Sequence, residues 1–443
     1  MRVELRIEDL APGGEGIGRS GGRAVFVPFT APGDLVAVEL PPGDGAVHVE
    51  GSALLAAGPV RVEPPCRHFG PGGDRCGGCE WMHASALSQL AAKGRTLREA
   101  LRKIGRLEPG DYPWLPPLPS PAPLGYRARA RFHLDRRGRR LVFFERRSHR
   151  PVPVERCHLL APGLEALRAA LGPALVDAGL SPVAVAVAWS ELEGRGAAHL
   201  RLAAAGAAAR ARAEALLRSV DRLAGLVVEA EGGAAFTVGD PVLRLERTPG
   251  AAGGGVCRTR PDVFQQANRE GNALLVAAAL DLLAPDGAEV LELFCGAGNF
   301  TGPLARRARG VAAVEAQGPA LDLARADLEG TPVRFFAGDA LTVARALARE
   351  RARAPRGFDA VLLDPPREGA KGIGAVLRDL GVDRAVYVSC DPATLARDVR
   401  GCVDLGFRIG GVQAIDLFPQ THHVEAIVLL VAGVAASTDR RTA

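Results

Sequence analysis

A thiol at a strand end is the residue with the most direct claim to chemistry in this sequence. In YVSCDPATLARD (Tyr387–Asp398) an apolar run from Arg384 to Val388 stops at Ser389 and Cys390, and Asp391-Pro392 opens a helical stretch. Asp is a favoured N-cap, and Pro suits the first helical position because its missing N–H costs nothing there. Cys390 is thereby set against a helix N-terminus, whose free N–H groups and dipole favour negative charge and predict a lowered thiol pKa. Such a corner is also where open α/β sheets place their ligands. A lone cysteine is more often a buried structural residue than a nucleophile, so its surroundings decide.

A second stretch points to a nucleotide-like ligand. LELFCGAGNF (Leu291–Phe300) reads as strand, Gly-rich turn and helix, with Gly296 and Gly298 permitting close approach of backbone to a ligand. The next apolar run ends in Glu315, an acid suited to ribose hydroxyls, and the third ends in Asp339, placed for the exocyclic amine of a purine. NAD and FAD sites share this logic. Here the spacing is G-x-G without the third glycine of dinucleotide sites, which favours an adenosyl cofactor lacking a pyrophosphate, S-adenosylmethionine. The fourth run ends in LLDPPREG (Leu362–Gly369). Asp364-Pro365-Pro366 resembles the Asp/Asn-Pro-Pro signature of methyltransferases acting on nucleobases or amides, and its prolines hold an extended, rigid backbone suited to a platform under a flat base.

A third set suggests metal. Cys66, Cys76 and Cys79 are spaced C-x9-C-x2-C, and Cys157 follows in VERCHLL. Clustered thiols in a cytosolic chain mean metal more often than disulfide. Spacing alone leaves zinc and iron–sulfur open, leaning slightly to zinc. His68 and His158 flank the set as alternative ligands. The C-x3-C-x2-C signature of radical methylation is absent.

The elements that must position these residues fall into three regions. Residues 1–58 show short alternating runs separated by Gly- and Pro-rich turns, the pattern of a small β-barrel. Residues 59–255 form a central α+β region with a helix near Ala86–Ile104 and a Pro-rich linker, PWLPPLPSPAP. It also holds the strand YRARARFHL, where alternation puts Arg127, Arg129, Arg131 and His133 on one face as a phosphate-tracking surface. Residues 256–443 alternate strands and helices as a doubly wound, Rossmann-like parallel sheet. The 443 residues suffice for several domains, and a net charge of +5 permits nucleic acid without requiring it. Eight cysteines do not make a disulfide scaffold, and no signal-peptide core or bilayer-length apolar run is present. The expectation is a soluble cytoplasmic protein with no membrane partner.

Taken in order, the motifs resemble those of RNA uracil-C5 methyltransferases, which make 5-methyluridine in tRNA and large-subunit rRNA. FQQAN (Phe264–Asn268) fits the family's F-x-Q-x-N and assigns Gln266 to the cofactor. LFCGAGNF adds Phe294 and Asn299, and Glu315, Asp339 and Asp364 fall on further cofactor or substrate positions. SCDP makes Cys390 the nucleophile, and HHVEAIVLL makes Glu425 the general base. The resemblance implies a TRAM domain, an oligonucleotide-binding type of barrel, at the N-terminus. It also turns the metal reading to a 4Fe-4S cluster on Cys66, Cys76, Cys79 and Cys157, although the Cys66–Cys76 gap is longer than is usual. The implied partner is RNA, 23S rRNA ahead of tRNA, bound by a monomer. The rival readings are a methyltransferase on cytosine or an amide nitrogen, and a non-catalytic RNA-binding or assembly factor with the same fold. The implied chemistry is addition of the Cys390 thiolate to uracil carbon 6, methylation of carbon 5, and removal of the carbon-5 proton by Glu425.

Overall fold

The computed structural model describes residues 1–204, 206–233, 235–247, 255–351 and 357–433. The boundary expected at 255/256 adjoins residues 248–254, which lie outside the described residues, as do 434–443 of the expected C-terminal domain. The chain divides into two compact units. The first comprises Met1–Lys93, Pro119–Ala273 and Asp416–His422; the second comprises Gly94–Leu118, Leu274–Ile415 and the chain from His423. The first cut falls inside helix α1 (Ala86–Lys103), close to the expected helix.

In the first unit, β1 (Arg2–Leu10), β2 (Gly16–Ser20), β3 (Arg23–Val27), β4 (Leu35–Glu39), β5 (Val47–His48) and β6 (Ala53–Ala56) form one sheet in the order β5-β3-β2-β1-β4-β6. The alternation read from the sequence is realised: Leu5 and Ile7 of β1 pack with Val25, Val27, Val36 and Val38, while their neighbours face water. A second sheet of seven strands is built from β7 (Arg129–Asp135), β8 (Arg140–Phe144), β9 (Pro151–Val152), β10 (Ala184–Ser190), β11 (Arg195–Leu202), β12 (Leu223–Ala230) and β13 (Ala235–Gly239). Helices α2 (Pro162–Asp177) and α3 (Ala209–Ser219) bury Leu164, Leu171, Ala213 and Leu216 in its core. A hairpin, β14 (Leu243–Glu246) and β15 (Val256–Thr259), follows.

The second unit holds the sheet that carries the candidate site. Its strands are β16 (Glu289–Leu293), β17 (Gly310–Glu315), β18 (Val333–Ala337), β19 (Ala360–Leu363), β20 (Arg384–Ser389), β21 (Phe407–Ile415) and β22 (Glu425–Ala432). They are joined by α4 (Arg269–Leu283), α5 (Thr301–Arg307), α6 (Gly318–Asp327), α7 (Ala340–Arg351), α8 (Ile373–Leu380) and α9 (Pro392–Val403), and α4 begins before the division between the units. The order is β18-β17-β16-β19-β20-β22-β21. The first five strands are parallel, and all but the edge strand β18 are largely buried on both faces, which is why β19 and β20 read as unbroken apolar runs. The expectation of a parallel sheet fails at the last two strands. β22 runs antiparallel to both β20 and β21, because residues 416–424 are too short and irregular to make a parallel crossover.

The Pro-rich linker also has a fixed place. Leu115 and Leu118 donate their N–H groups to Val412 and Ala414 of β21, and the Gln413 amide donates to Pro116 O. Pro113, Pro116 and Pro117 sit where no donor is needed, as an edge position allows. Within this unit the segment covers the exposed edge of β21.

Candidate active site and cysteine centre

The carboxyl ends of five neighbouring parallel strands, and the start of an antiparallel sixth, assemble one edge of the second unit. The order of successive strands reverses between β16 and β19, which run parallel, the switch point at which such sheets bind ligands. Asp339 follows β18, Glu315 ends β17, Phe294 follows β16, Asp364 follows β19 and Cys390 follows β20. Because β22 is antiparallel, its first residue, Glu425, lies at the same edge. Ser389 pairs with Ala426, so Cys390 and Glu425 are the next residues outward on adjacent strands.

The cofactor half is ordered by its own backbone. Phe294 has φ 63°, a left-handed conformation rare for an aromatic residue, and Gly296 and Gly298 follow at 55° and 87°. Gly298 N–H donates to Cys295 O at 2.9 Å, closing the turn. Gly296 N–H donates to Glu315 Oε2 at 2.9 Å, and Gln317 N–H donates to Glu315 Oε1 at 2.7 Å. Glu315 is thus fixed in place while keeping free acceptor lone pairs. Asp339 caps α7, accepting from Thr342 N–H and Oγ1, and these bonds hold its carboxyl below the usual range. Asn299 lies in the turn before α5. Gln266 is in the first unit, on the segment between β15 and α4.

The reacting half departs from expectation. Burial pushes the Cys390 thiol up to about 11, Glu425 and Asp364 add to the rise, and the Arg367 guanidinium opposes it. The expected lowering by α9 does not occur. Asp391 takes the N–H groups of Ala393 and Thr394 with its own carboxylate, at 3.0 and 2.9 Å, so those helix donors are spent on the cap and its negative charge offsets the dipole. Glu425 is 2% exposed, and its Oε2 is buried without a hydrogen-bond partner among the described residues. Burial, then Asp364, raise it well above the usual carboxyl range, against Arg367. Asp364 rises to about 7 through burial. A buried carboxyl oxygen left unpaired is rare and costly. Arg367 was not singled out from the sequence; its signal is its place directly after Asp364-Pro365-Pro366.

In the first unit, Cys66, Cys76, Cys79 and Cys157 line a single small cavity with Met82, Phe143 and Leu159. Burial raises Cys76 to about 11 and lifts Cys79 and Cys157, the neighbouring thiols adding to the rise at Cys76 and Cys79. Arg127 lines the same cavity, pulls these three thiols down, and has a buried Nε without a hydrogen-bond partner. His68 accepts the Glu155 N–H at Nε2, 3.2 Å. Among the described residues no group of three or more His, Cys, Asp or Glu closes around a single metal ion.

The basic face expected on YRARARFHL is only half formed. Arg127 precedes β7 and turns to the cysteines. Arg129 donates to the carbonyls of Pro261 and Val263, which draws it off the surface. Arg131 and His133 do line a surface groove with Phe144, Arg146 and Arg147, and the His133 and Phe144 rings stack at 4.0 Å. Glu80, Glu145 and His422 line it too.

A sheet edge that pairs a glycine turn with successive acidic strand ends defines a methyltransferase of the S-adenosylmethionine-dependent class. Comparison with known proteins narrows it. Residues 255–432 match the family model described as tRNA (uracil-5-)-methyltransferase, and residues 1–40 match the TRAM domain of tRNA (uracil(54)-C(5))-methyltransferase. The chain is 38% identical to the 23S rRNA (uracil(1939)-C(5))-methyltransferase RlmD of Pseudomonas entomophila, over 98% of this chain and 94% of that protein. It is 37% identical to the protein of the same name from Alkalilimnicola ehrlichii, over 96% of each. The Pyrococcus abyssi tRNA (uracil-54, C5)-methyltransferase, crystallised with S-adenosyl-L-homocysteine, shares the fold with a TM-score of 0.72 at 22% identity, over 97% of this chain and all of that one. The chain belongs to the RNA uracil-C5 methyltransferase family, and a TRAM domain stands at its N-terminus.

Proposed function

We propose that this enzyme methylates carbon 5 of a uridine in 23S rRNA, with Cys390 as nucleophile and Glu425 as base. The observation that carries the roles is the buried, unpartnered Oε2 of Glu425 on the strand beside Cys390. Full-length relatives named for 23S rRNA support the substrate. The matching family models and the solved relative are named for tRNA, which keeps a tRNA uridine as the second reading.

S-adenosylmethionine, when bound, supplies the methyl group on a positively charged sulfonium. By their positions in the family's motifs, Gln266, Phe294, Asn299, Glu315, Asp339 and Asp364 are the residues that would hold it. Cys390 gives its proton to water and adds as thiolate to uracil carbon 6, so the electron pair of the 5,6 double bond moves to carbon 5 and the ring's carbonyl oxygen, and Glu425 stays a carboxylate for the later step. After carbon 5 is methylated, Glu425 takes its proton, the double bond re-forms and the Cys390 sulfur leaves as thiolate. A thiol held near 11 gains its charge only when a positive group approaches, so ionisation is reserved for the loaded site. The target base leaves its stack to reach this edge. The groove of Arg131, His133, Phe144, Arg146 and Arg147 supports a role in holding the flanking RNA through phosphate contacts and stacking.

The four cysteines fit a 4Fe-4S cluster. Four part-buried thiols line one cavity beside the Arg127 guanidinium, and a cationic centre there would bear their charge as thiolates. Methyl transfer needs no electron, so the cluster's part is structural. We read the chain as three domains, 1–58, 59–255 and 256–443, acting as a cytoplasmic monomer.

Two measurements test this. RNA carrying 5-fluorouridine at the target should become covalently joined to the wild-type enzyme, since fluorine blocks the last proton removal; no adduct sinks the mechanism. In cells lacking the protein, 5-methyluridine should vanish from one 23S position, whereas its loss from tRNA instead would favour the second reading.

A further inference from the structure

We propose that Asp398 and Tyr387 are positioning residues for the reacting edge: they lock the loop Asp364–Ala370 onto the helix that follows Cys390 and so hold Arg367 toward Cys390 and Glu425. The inference rests on Cys390 as nucleophile.

The loop is gripped at successive backbone positions. Asp398, 4% exposed on α9, accepts the Ala370 N–H at 2.7 Å and the Tyr387 hydroxyl at 2.8 Å. The Ala370 N–H also lies 3.0 Å from Tyr387 Oη. Tyr387 is fully buried on β20, three residues before Cys390. Thr394 Oγ1 donates to Arg367 O at 3.0 Å, and Arg397 Nη2 donates to Glu368 O at 2.8 Å. Gly369 has φ +74°, and a Cβ there would sit 2.5 Å from Asp398 Oδ2, so the contact requires glycine.

A surface loop of this length has no reason to be held by a buried carboxylate unless its position matters. What it carries is informative. Asp364 begins it at the sheet edge, and Arg367 lies in it as an exposed cation whose charge acts on both Cys390 and Glu425. The charged groups acting on Cys390 are therefore Glu425 from β22 and Asp364 and Arg367 from this loop; of these Arg367 favours the thiolate, beside a backbone hydrogen bond at Cys390 itself. Buried, satisfied hydrogen bonds that fix a neighbouring group are how a site is held to the tolerance catalysis needs.

The two possible effects of neutralising Asp398 have opposite signs. Electrostatics alone removes a negative charge from the helix after Cys390, which can only lower the thiol pKa and speed its alkylation. Release of the loop withdraws Arg367, which raises the thiol pKa and slows it. The experiment measures the rate of Cys390 carboxamidomethylation by iodoacetamide in the full chain across pH 7–10, by mass spectrometry. Asp398→Asn, Tyr387→Phe and Arg367→Met are compared with wild type, with Asp404→Asn on the same helix as a charge control. Asp398→Asn should alkylate about threefold to tenfold more slowly at pH 8, as Arg367→Met does. Tyr387→Phe keeps the ring and should fall between. The double variant Asp398→Asn/Arg367→Met should be no slower than Arg367→Met alone, since both act through one group. Alkylation of Asp398→Asn at or above the wild-type rate, or additive slowing in the double variant, overturns the proposal. S-adenosylhomocysteine binding and circular dichroism identify a variant that has not folded, in which case Tyr387→Phe decides. If wild type fails to trap 5-fluorouridine RNA while the alkylation differences stand, the fault lies with the nucleophile assignment and not with the clamp.

Discussion

A lone part-buried thiol, Cys390, and a group of four, Cys66, Cys76, Cys79 and Cys157, differ in the charge set around them. At the sheet edge of the second unit, one thiol faces two carboxyl groups, Glu425 and Asp364, with a single exposed cation, Arg367. In the cavity of the first unit, thiols face one another across a guanidinium, Arg127. Burial raises the thiols in both, so burial alone does not tell a nucleophile from a ligand. The neighbours do. Acidic neighbours keep Cys390 protonated until a positive group arrives, which suits a group that ionises once per turnover. Clustered thiols with one cation suit permanent ionisation against a metal centre.

The largest test of this contrast removes one member of the reacting pair at a time. Cys390→Ala should lose methylation by at least about 10⁴-fold and form no RNA adduct, because no addition to carbon 6 occurs. Glu425→Gln should still add and still methylate. The carbon-5 proton then stays, and a methylated, gel-stable enzyme–RNA adduct should accumulate. Normal turnover in both variants would reduce Cys390 to a core cysteine.

Next comes the cavity. Cys79→Ser should purify without iron under anaerobic conditions and melt about 5–10 °C lower, as loss of a group bound only by the folded state requires. Cofactor binding should change little. Wild-type protein that holds one zinc and no iron or sulfide would replace the cluster with a simpler structural site.

How much of this was legible in the sequence depended on how local each feature is. The strand, turn and helix around Cys390, and the glycine turn before α5, are encoded within a dozen residues, and both stand where they were read. The sign of the Cys390 shift was not legible, because it turns on which group takes the Ala393 and Thr394 N–H groups and on two carboxyls from other strands. Alternation misled at Arg127 and Arg129. Arg127 precedes β7, and the carbonyls that draw in Arg129 belong to Pro261 and Val263, far along the chain. The clamp from Asp398 to Ala370 joins residues 28 apart and leaves no periodic trace. The parallel sheet was legible through β20, where each strand is followed by a helix, but not at β21 and β22, where the connection carries none.

A pH profile sharpens the reacting side. In ligand-free wild type, alkylation of Cys390 should rise about tenfold per pH unit from pH 7 and level only near 11, because the rate follows the thiolate fraction. Glu425→Gln removes a carboxyl that pushes the thiol up, so its profile should level at lower pH and its rate at pH 8 should exceed wild type. A wild-type profile that levels near 8 would restore the helix-stabilised thiolate first expected from Asp391-Pro392.

The smallest effect tests the single cation of the cavity. Arg127 acts electrostatically on three of the four thiols, and its buried Nε has no hydrogen-bond partner among the described residues. Sulfur ligands of a bound cluster would offer it acceptors, and its charge would offset part of theirs. Arg127→Met keeps much of the apolar stem and removes both effects, so chelators should strip iron from the holoprotein a few-fold faster, within the range that changes around metal ligands produce. Arg127→Lys restores the charge without the planar donor fork and should recover part of the difference. Equal release rates in all three proteins would mean that Arg127 only packs the cavity wall, and the contrast between the two thiol sites would then rest on the carboxyls at Cys390 alone.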